Sequence, residues 1–151
     1  MSDVETVERV IAAPPEKIFP LLADASRHAD FDGSGSVVGV QGKSEPLKLG
    51  SKFGMNMKIG VPYSMVSTVV EYEENRRIAW QPRLGLPLVG RFVGGRIWRY
   101  ELEPVDGGTL VRESWDISKE GLLTKLVVRR AAAVTRKNMA KTLERIEQVL
   151  A

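Results

Sequence analysis

The fold is decided by residues 96–117, RIWRYELEPVDGGTLVRESWDI. Two runs of alternating residues, Arg96–Glu103 and Thr109–Ile117, flank the turn Asp106-Gly107. Because Asp-Gly suits the positive φ angles of a type I′ turn, we predict a β-hairpin here. Side chains on a strand alternate between faces, so one face of the hairpin carries Arg96, Trp98, Tyr100 and Leu102 on its first strand and Val111, Glu113, Trp115 and Ile117 on its second.

Five further strands are predicted upstream, at Val4–Ile11, Gly35–Gln41, Ser51–Lys58, Tyr63–Glu73 and Arg77–Gln81. The third of these is the clearest, because Phe53, Met55 and Met57 alternate with glycine and polar residues. Two short helices are expected after the first strand. One begins near Pro15 and is kinked or ended early by Pro20, and the other covers Ser26–Phe31.

The last third of the chain changes to a helical period. From about Leu122 to Leu150 there is no proline, and apolar residues recur at helical spacing, namely Val128, Ala132, Met139, Leu143, Ile146 and Leu150. A helix of this length needs an apolar partner, which the strands supply. We therefore predict one α+β domain over residues 1–151 with a helix-grip fold. In it a curved antiparallel sheet of about seven strands wraps around the C-terminal helix and leaves a cavity where the two diverge.

Composition narrows the chemistry that this chain can perform. It has no cysteine and one histidine, His28, which excludes disulfides, thiolate nucleophiles, cysteine-based zinc sites and multi-histidine metal sites. We expect neither a metal nor a cofactor. The net charge of +3 does not indicate nucleic acid binding. Since no apolar run approaches the roughly 20 residues of a membrane span and the N-terminus is acidic, a cytoplasmic protein is expected.

The chain resembles the START-like (SRPBCC) superfamily, in particular bacterial proteins of the polyketide cyclase/dehydrase and lipid-transport type. The resemblance covers nearly the whole chain. It rests on the order and spacing of four segments, residues 10–19 (VIAAPPEKIF), 77–80 (RIAW), 98–104 (WRYELEP) and 107–111 (GGTLV). It implies a deep internal pocket that holds a lipid, polyketide, sterol or other apolar molecule. Some members of the superfamily are cyclases or dehydratases, while many only bind or carry.

The inward faces of the predicted sheet and helix supply the candidate ligand-binding residues. Large amphipathic rings are what pocket walls use to shape an apolar ligand while orienting one polar group. For the aromatic residues, packing in the core is an equally good interpretation. The candidates are Phe53, Met55, Met57, Trp80, Arg96, Trp98, Tyr100, Val111, Glu113, Trp115 and Asn138.

Arg96 and Glu113 lie on the predicted inward faces of neighbouring strands. A buried charge has to be paired, and each of these residues would satisfy the other. We favour a structural ion pair. In the functional alternative, Arg96 anchors a ligand carboxylate or enolate, while Glu113 is its partner or a general acid/base. The catalytic candidates are then Glu113, Arg96 and Tyr100.

Residues 82–95 are rich in proline and glycine and yet carry many apolar side chains. Solvent-facing loops are normally polar, so this one should cover something apolar. We favour a lid over the pocket, with Arg83 and Arg91 able to meet anionic headgroups in a transient membrane contact. Static packing on the sheet, or a dimer interface, is the alternative. The lid residues are Leu84, Leu86, Leu88 and Phe92.

Two groups of polar residues are expected to lie on the protein surface. A solvated helix face is expected for the basic cluster of Arg129, Arg130, Arg136, Lys137 and Lys141. His28 lies near Asp30 and Asp32 in a polar stretch, where we expect an exposed imidazole. On the C-terminal helix, Asn138 and Lys141 are the polar residues that could face the cavity.

Three functional hypotheses follow from these patterns. The first is a noncatalytic protein, monomeric or homodimeric, that binds or carries a hydrophobic small molecule such as a lipid, polyketide or isoprenoid. The second is a cyclase or dehydratase that uses Glu113, Arg96 or Tyr100. The third is a protein-interaction module, for which the cavity would be small and filled by its own side chains.

Overall fold

The computed structural model describes residues 3–41, 45–84 and 95–151. The predicted α+β helix-grip fold is confirmed. Short 3₁₀ turns cover Ala25–Arg27 and Arg129–Ala131. The strands and helices are β1 (Val4–Ile11), α1 (Pro15–Leu22), α2 (His28–Phe31), β2 (Val37–Gln41), β3 (Lys52–Ile59), β4 (Val61–Glu73), β5 (Arg77–Leu84), β6 (Ile97–Val105), β7 (Gly108–Asp116), α3 (Leu122–Val128) and α4 (Ala132–Leu150).

The seven strands form one antiparallel sheet in the order β1-β7-β6-β5-β4-β3-β2. The first strand pairs with the last, so the N-terminal segment lies beside the strand that leads into the C-terminal helices. The register of β4 against β5 shifts between Val69 and Glu71. Such a bulge increases the local twist and bends the strand, which helps the sheet curl into a half-barrel.

Of the two C-terminal helices, only α4 packs closely into the concave side of this sheet. In α4, Met139, Leu143 and Ile146 are almost fully buried, whereas α3 has no buried residue. Leu143 and Ile146 join the main core, which also holds Ile11, Leu22, Ile78 and Val111. The helical period predicted from Leu122 to Leu150 is therefore confirmed, with the 3₁₀ turn as an interruption.

The predicted hairpin is confirmed, but its predicted turn type is wrong. Val105 pairs with Gly108, which leaves Asp106 and Gly107 as the central residues of the turn. Gly107 has a φ of 89°, whereas Asp106 is not among the residues with positive φ. A positive φ at the second central position alone is typical of a type II turn rather than type I′.

One predicted boundary also changes. β5 continues to Leu84, so residues 82–84 of the expected loop pair with β4 instead. Proline fits here because β5 pairs with β6 only as far as Trp80, which makes its last residues an edge on that side. Leu84 therefore belongs to a strand, while Leu86, Leu88 and Phe92 of the predicted lid lie outside the described residues.

Candidate functional site

A pocket of about 440 Å³ lies between the concave face of the sheet, α2 and α4. This volume falls within the roughly 300–1,000 Å³ range of small-molecule sites. Its apolar lining is rich in sulfur and aromatic rings, and four of the five methionines of the chain contribute to it. The apolar side chains are Phe31, Val37, Phe53, Met55, Met57, Met65, Trp80, Pro82, Leu84, Trp98 and Met139.

Most of the sequence-predicted residues do line this pocket. They are Phe53, Met55, Met57, Trp80, Leu84, Arg96, Trp98, Tyr100, Glu113 and Asn138. Val111 and Trp115 face the same side of the sheet but are not part of the lining, because other side chains cover them. Val111 is in the main core, and Trp115 packs with Ile117 and Met139. Lys141 on α4 is exposed.

Tyr100 and Glu113 form a buried polar pair in the pocket wall. They are direct partners in the register of β6 and β7, and the tyrosine hydroxyl is hydrogen-bonded to the carboxyl group. Burial raises the pKa of Glu113 to about 8, although the hydrogen bond from Tyr100 opposes this shift. Burial and the nearby Glu113 also raise the pKa of Tyr100 well above its usual value. At neutral pH both groups are therefore uncharged.

Arg96 pairs with Glu120, not with Glu113 as the sequence predicted. Its Nε donates to Glu120 Oε1 at 3.0 Å, and the glutamate side chain has no solvent exposure. The predicted pair fails because of register. Arg96 precedes Tyr100 by four strand positions, or about 13 Å, and it is Tyr100 that faces Glu113. Alternation had placed both charges on the correct face without fixing their positions along it.

His28 was predicted to be exposed, and this prediction is wrong. Only 5% of the residue is exposed, and its ring stacks on Trp80 with a centroid distance of 4.6 Å. Nε2 lies 2.9 Å from the carbonyl oxygen of Leu22, so in the neutral ring Nε2 carries the hydrogen and Nδ1 has the lone pair. Burial lowers the pKa of His28 to about 4.

A signal for the burial of His28 was present in the sequence. Ala25, His28 and Phe31 follow one another at intervals of three, and all three are buried. This spacing places them on one face of the short 3₁₀ and α-helical turns. The surrounding polar residues concealed the pattern.

The segment after α2 is held tightly against α4. The Gly33 amide donates to Thr142 Oγ1 at 2.8 Å, and Arg145 Nη1 donates to the Asp32 carbonyl oxygen at 2.7 Å. A Cβ on Gly33 would overlap the carbonyl oxygen of Asn138 and lie 2.7 Å from the Thr142 amide nitrogen. Glycine is therefore required for this close approach.

Gly33→Ala is expected to lower the free energy of unfolding by about 1–3 kcal/mol, because the segment must move away from α4. Urea denaturation measures the change. Gly39→Ala is the matched control, since a Cβ on Gly39 meets no atom within 4 Å. Equal midpoints for the two variants would contradict the steric argument.

Two arginines of the basic cluster form ion pairs with the N-terminal segment. Arg129 binds Asp3, which also pairs with Lys125 of α3, and Arg136 binds Glu5 at 3.2 Å. In the part of the chain that the structure describes, no group of three or more His, Asp or Glu could hold a metal ion. Among the same residues, no helix has the combination of length and hydropathy that crossing a membrane requires.

Several known proteins are similar to this chain. The uncharacterized protein Rv0088 of Mycobacterium tuberculosis is 34% identical over 115 residues, which make up 75% of this chain and 47% of that protein. The chain thus spans about half the length of the curated relatives it matches. Among solved structures, NE0264 from Nitrosomonas europaea has a TM-score of 0.74 at 14% identity, with 99% of this chain and 96% of that chain covered.

Protein MLL2253 from Mesorhizobium loti gives a TM-score of 0.70 at 19% identity, with 97% of this chain and 96% of that chain covered. At these identities the two structures show the fold alone. A family model described as "Polyketide cyclase / dehydrase and lipid transport" matches residues 4–151. The fold, a sheet that curls around α4, is consistent with this match over nearly the whole sequence. The chain therefore belongs to the polyketide cyclase/dehydrase and lipid transport family.

Proposed function

We propose that the protein binds a hydrophobic small molecule, of the lipid, polyketide or isoprenoid type, and holds or carries it without transforming it. The observation that carries this proposal is the pocket wall, most of whose surface is apolar and comes chiefly from methionine and aromatic side chains, although about half of the lining residues are polar. Binding would be driven by removal of apolar surface from water, which contributes about 25 cal/mol per Å².

The methionines favour binding over catalysis. Met55, Met57 and Met65 lie on the adjacent strands β3 and β4, and Met139 lies on α4. Methionine is unbranched and polarizable, so it adapts to irregular or varied shapes. A wall built of such side chains suits a flexible apolar ligand more than it suits the rigid positioning of reacting atoms.

Native mass spectrometry of the full chain, followed by organic extraction, tests the proposal. We expect a stoichiometric apolar molecule to co-purify, or the empty protein to take up members of a panel of fatty acids, isoprenoids and aromatic polyketides. An empty protein that binds nothing in this panel would contradict the proposal and would favour the interaction module.

A second candidate function is that of a cyclase or dehydratase, and the Tyr100–Glu113 pair favours it. A carboxyl group that is protonated at neutral pH inside an apolar pocket is suited to general acid catalysis. This candidate predicts that Glu113→Gln abolishes turnover while ligand affinity persists. Turnover retained in that variant would count against an enzymatic role for Glu113.

A further inference from the structure

We infer that the ligand carries a neutral hydrogen-bond acceptor, such as a ketone or ester carbonyl, which accepts a hydrogen bond from the one hydroxyl group left free in the Tyr100–Glu113 pair. This inference rests on the proposed function and specifies the chemical class of its ligand. It begins from one unsatisfied atom. Glu113 lines the pocket, is 99% buried, and its Oε1 has no hydrogen-bond partner among the described residues.

The number of protons in the pair determines what it offers to the pocket. A neutral carboxyl group has one O–H proton, and the tyrosine hydroxyl has another. The hydrogen bond between Tyr100 and Glu113 uses one of them, in whichever direction it runs. One proton is left over, on Glu113 or on Tyr100. The neutral pair therefore presents one donor, and a ligand acceptor would satisfy it.

The charges around the pair disfavour a ligand carboxylate. The titratable and charged groups that line the pocket with the pair are His28, Asp32, Tyr63 and Arg96. His28 is neutral at physiological pH, Asp32 adds negative charge, and Arg96 is already paired with the buried Glu120. A buried anion would therefore lack an uncommitted cation within the described lining, whereas a neutral carbonyl needs none.

Three naphthalene probes of similar size separate these chemistries. They are 2-acetylnaphthalene (a ketone), 2-ethylnaphthalene (its apolar counterpart) and 2-naphthoate (a carboxylate). Isothermal titration calorimetry with the full chain at about pH 6, where Glu113 is protonated, measures each Kd. We expect the ketone to bind about tenfold more tightly than the ethyl compound, as one extra buried hydrogen bond would allow, and also more tightly than the carboxylate.

Variants locate the donor. Glu113→Leu is expected to bring the ketone-to-ethyl affinity ratio close to one, whereas Glu113→Gln, which keeps N–H donors, should retain most of the preference. Thr135→Val is the matched control, because it removes a hydroxyl from the pocket lining and leaves the pair intact. If Glu113→Leu fails to fold, the wild-type protein gives the same test. Its ratio should fall between about pH 6 and pH 9, as Glu113 ionises.

The outcomes separate this inference from the proposed function. The inference is wrong if the ethyl compound binds as tightly as the ketone, or if the carboxylate binds best. It is also wrong if the ketone-to-ethyl affinity ratio changes neither in Glu113→Leu nor with pH. In each of these cases the protein still binds apolar molecules. If none of the three probes binds, the proposed function and the inference fail together.

Discussion

Relative to wild type, Glu113→Gln is expected to become more stable as the pH rises, with a free energy of unfolding that gains about 4 kcal/mol on wild type between pH 4.5 and pH 9. The pKa of Glu113 is about 8 in the folded protein, against 4.5 as its ordinary value. Between these values the unfolded chain has released a proton that the folded protein still holds, so wild-type stability falls as the pH rises. A glutamine has no proton to release and escapes this loss.

His28 gives the wild-type profile its shape at lower pH. Burial lowers its pKa from 6.5 to about 4, so below pH 6.5 the unfolded chain gains a proton that the folded protein does not accept. Stability then falls as the pH falls, which opposes the effect of Glu113. From these two groups we expect wild-type stability to be level between about pH 4.5 and 6.5 and to decline toward pH 8.

Urea denaturation of the wild type and of Glu113→Gln over this range measures the difference between the two profiles, in which all other titrating groups cancel. Glu103→Gln is the matched control, because this exposed carboxylate lies on β6 and is already in water. Parallel profiles for wild type and Glu113→Gln would contradict the burial of an uncharged carboxyl group in the pocket wall.

Arg96→Met is expected to lower the free energy of unfolding by about 3 kcal/mol, because it leaves the Glu120 carboxylate buried without its cation. Breaking a buried ion pair costs about 3–5 kcal/mol, and we take the lower end because the Arg96 side chain is 31% exposed. Glu120→Gln should cost less, about 1 kcal/mol, since the arginine left behind can reach water.

A double-mutant cycle checks this asymmetry. Combining Arg96→Met with Glu120→Gln should recover much of the loss, since the buried group is then neutral. Thermal or urea unfolding of the four proteins gives the coupling free energy. Simple additivity of the two single changes would show that Arg96 and Glu120 do not depend on each other.

The fold was predictable because periodicity and turn residues act locally. Alternation located all seven strands, and the change of period near Leu122 located the final helix. The pairing of charges was not predictable in the same way. Alternation fixes the face on which Arg96 and Glu113 lie, whereas their separation depends on the register of two strands and on where each begins.

Two further differences have local physical causes. Proline at position 82 indicated a loop, but the β5–β6 register ends at Trp80, so within the described residues the missing N–H costs no ladder bond to β6. His28 was assigned to the surface from its polar neighbours. Its burial depends on the stacking partner Trp80, which is supplied by a distant strand.

The uneven anchoring of the C-terminal helix affects how unfolding should be monitored. All three tryptophans of the chain, Trp80, Trp98 and Trp115, are on strands of the sheet, while α3 contributes no buried side chain. Opening α3 would expose no fully buried side chain, and it would reach the tryptophans only through its last residue, Val128, which packs against the cluster that holds Trp115. Fluorescence therefore follows the sheet and its pocket, whereas circular dichroism and amide hydrogen exchange also register the earlier fraying of α3, and the two kinds of transition curve need not coincide.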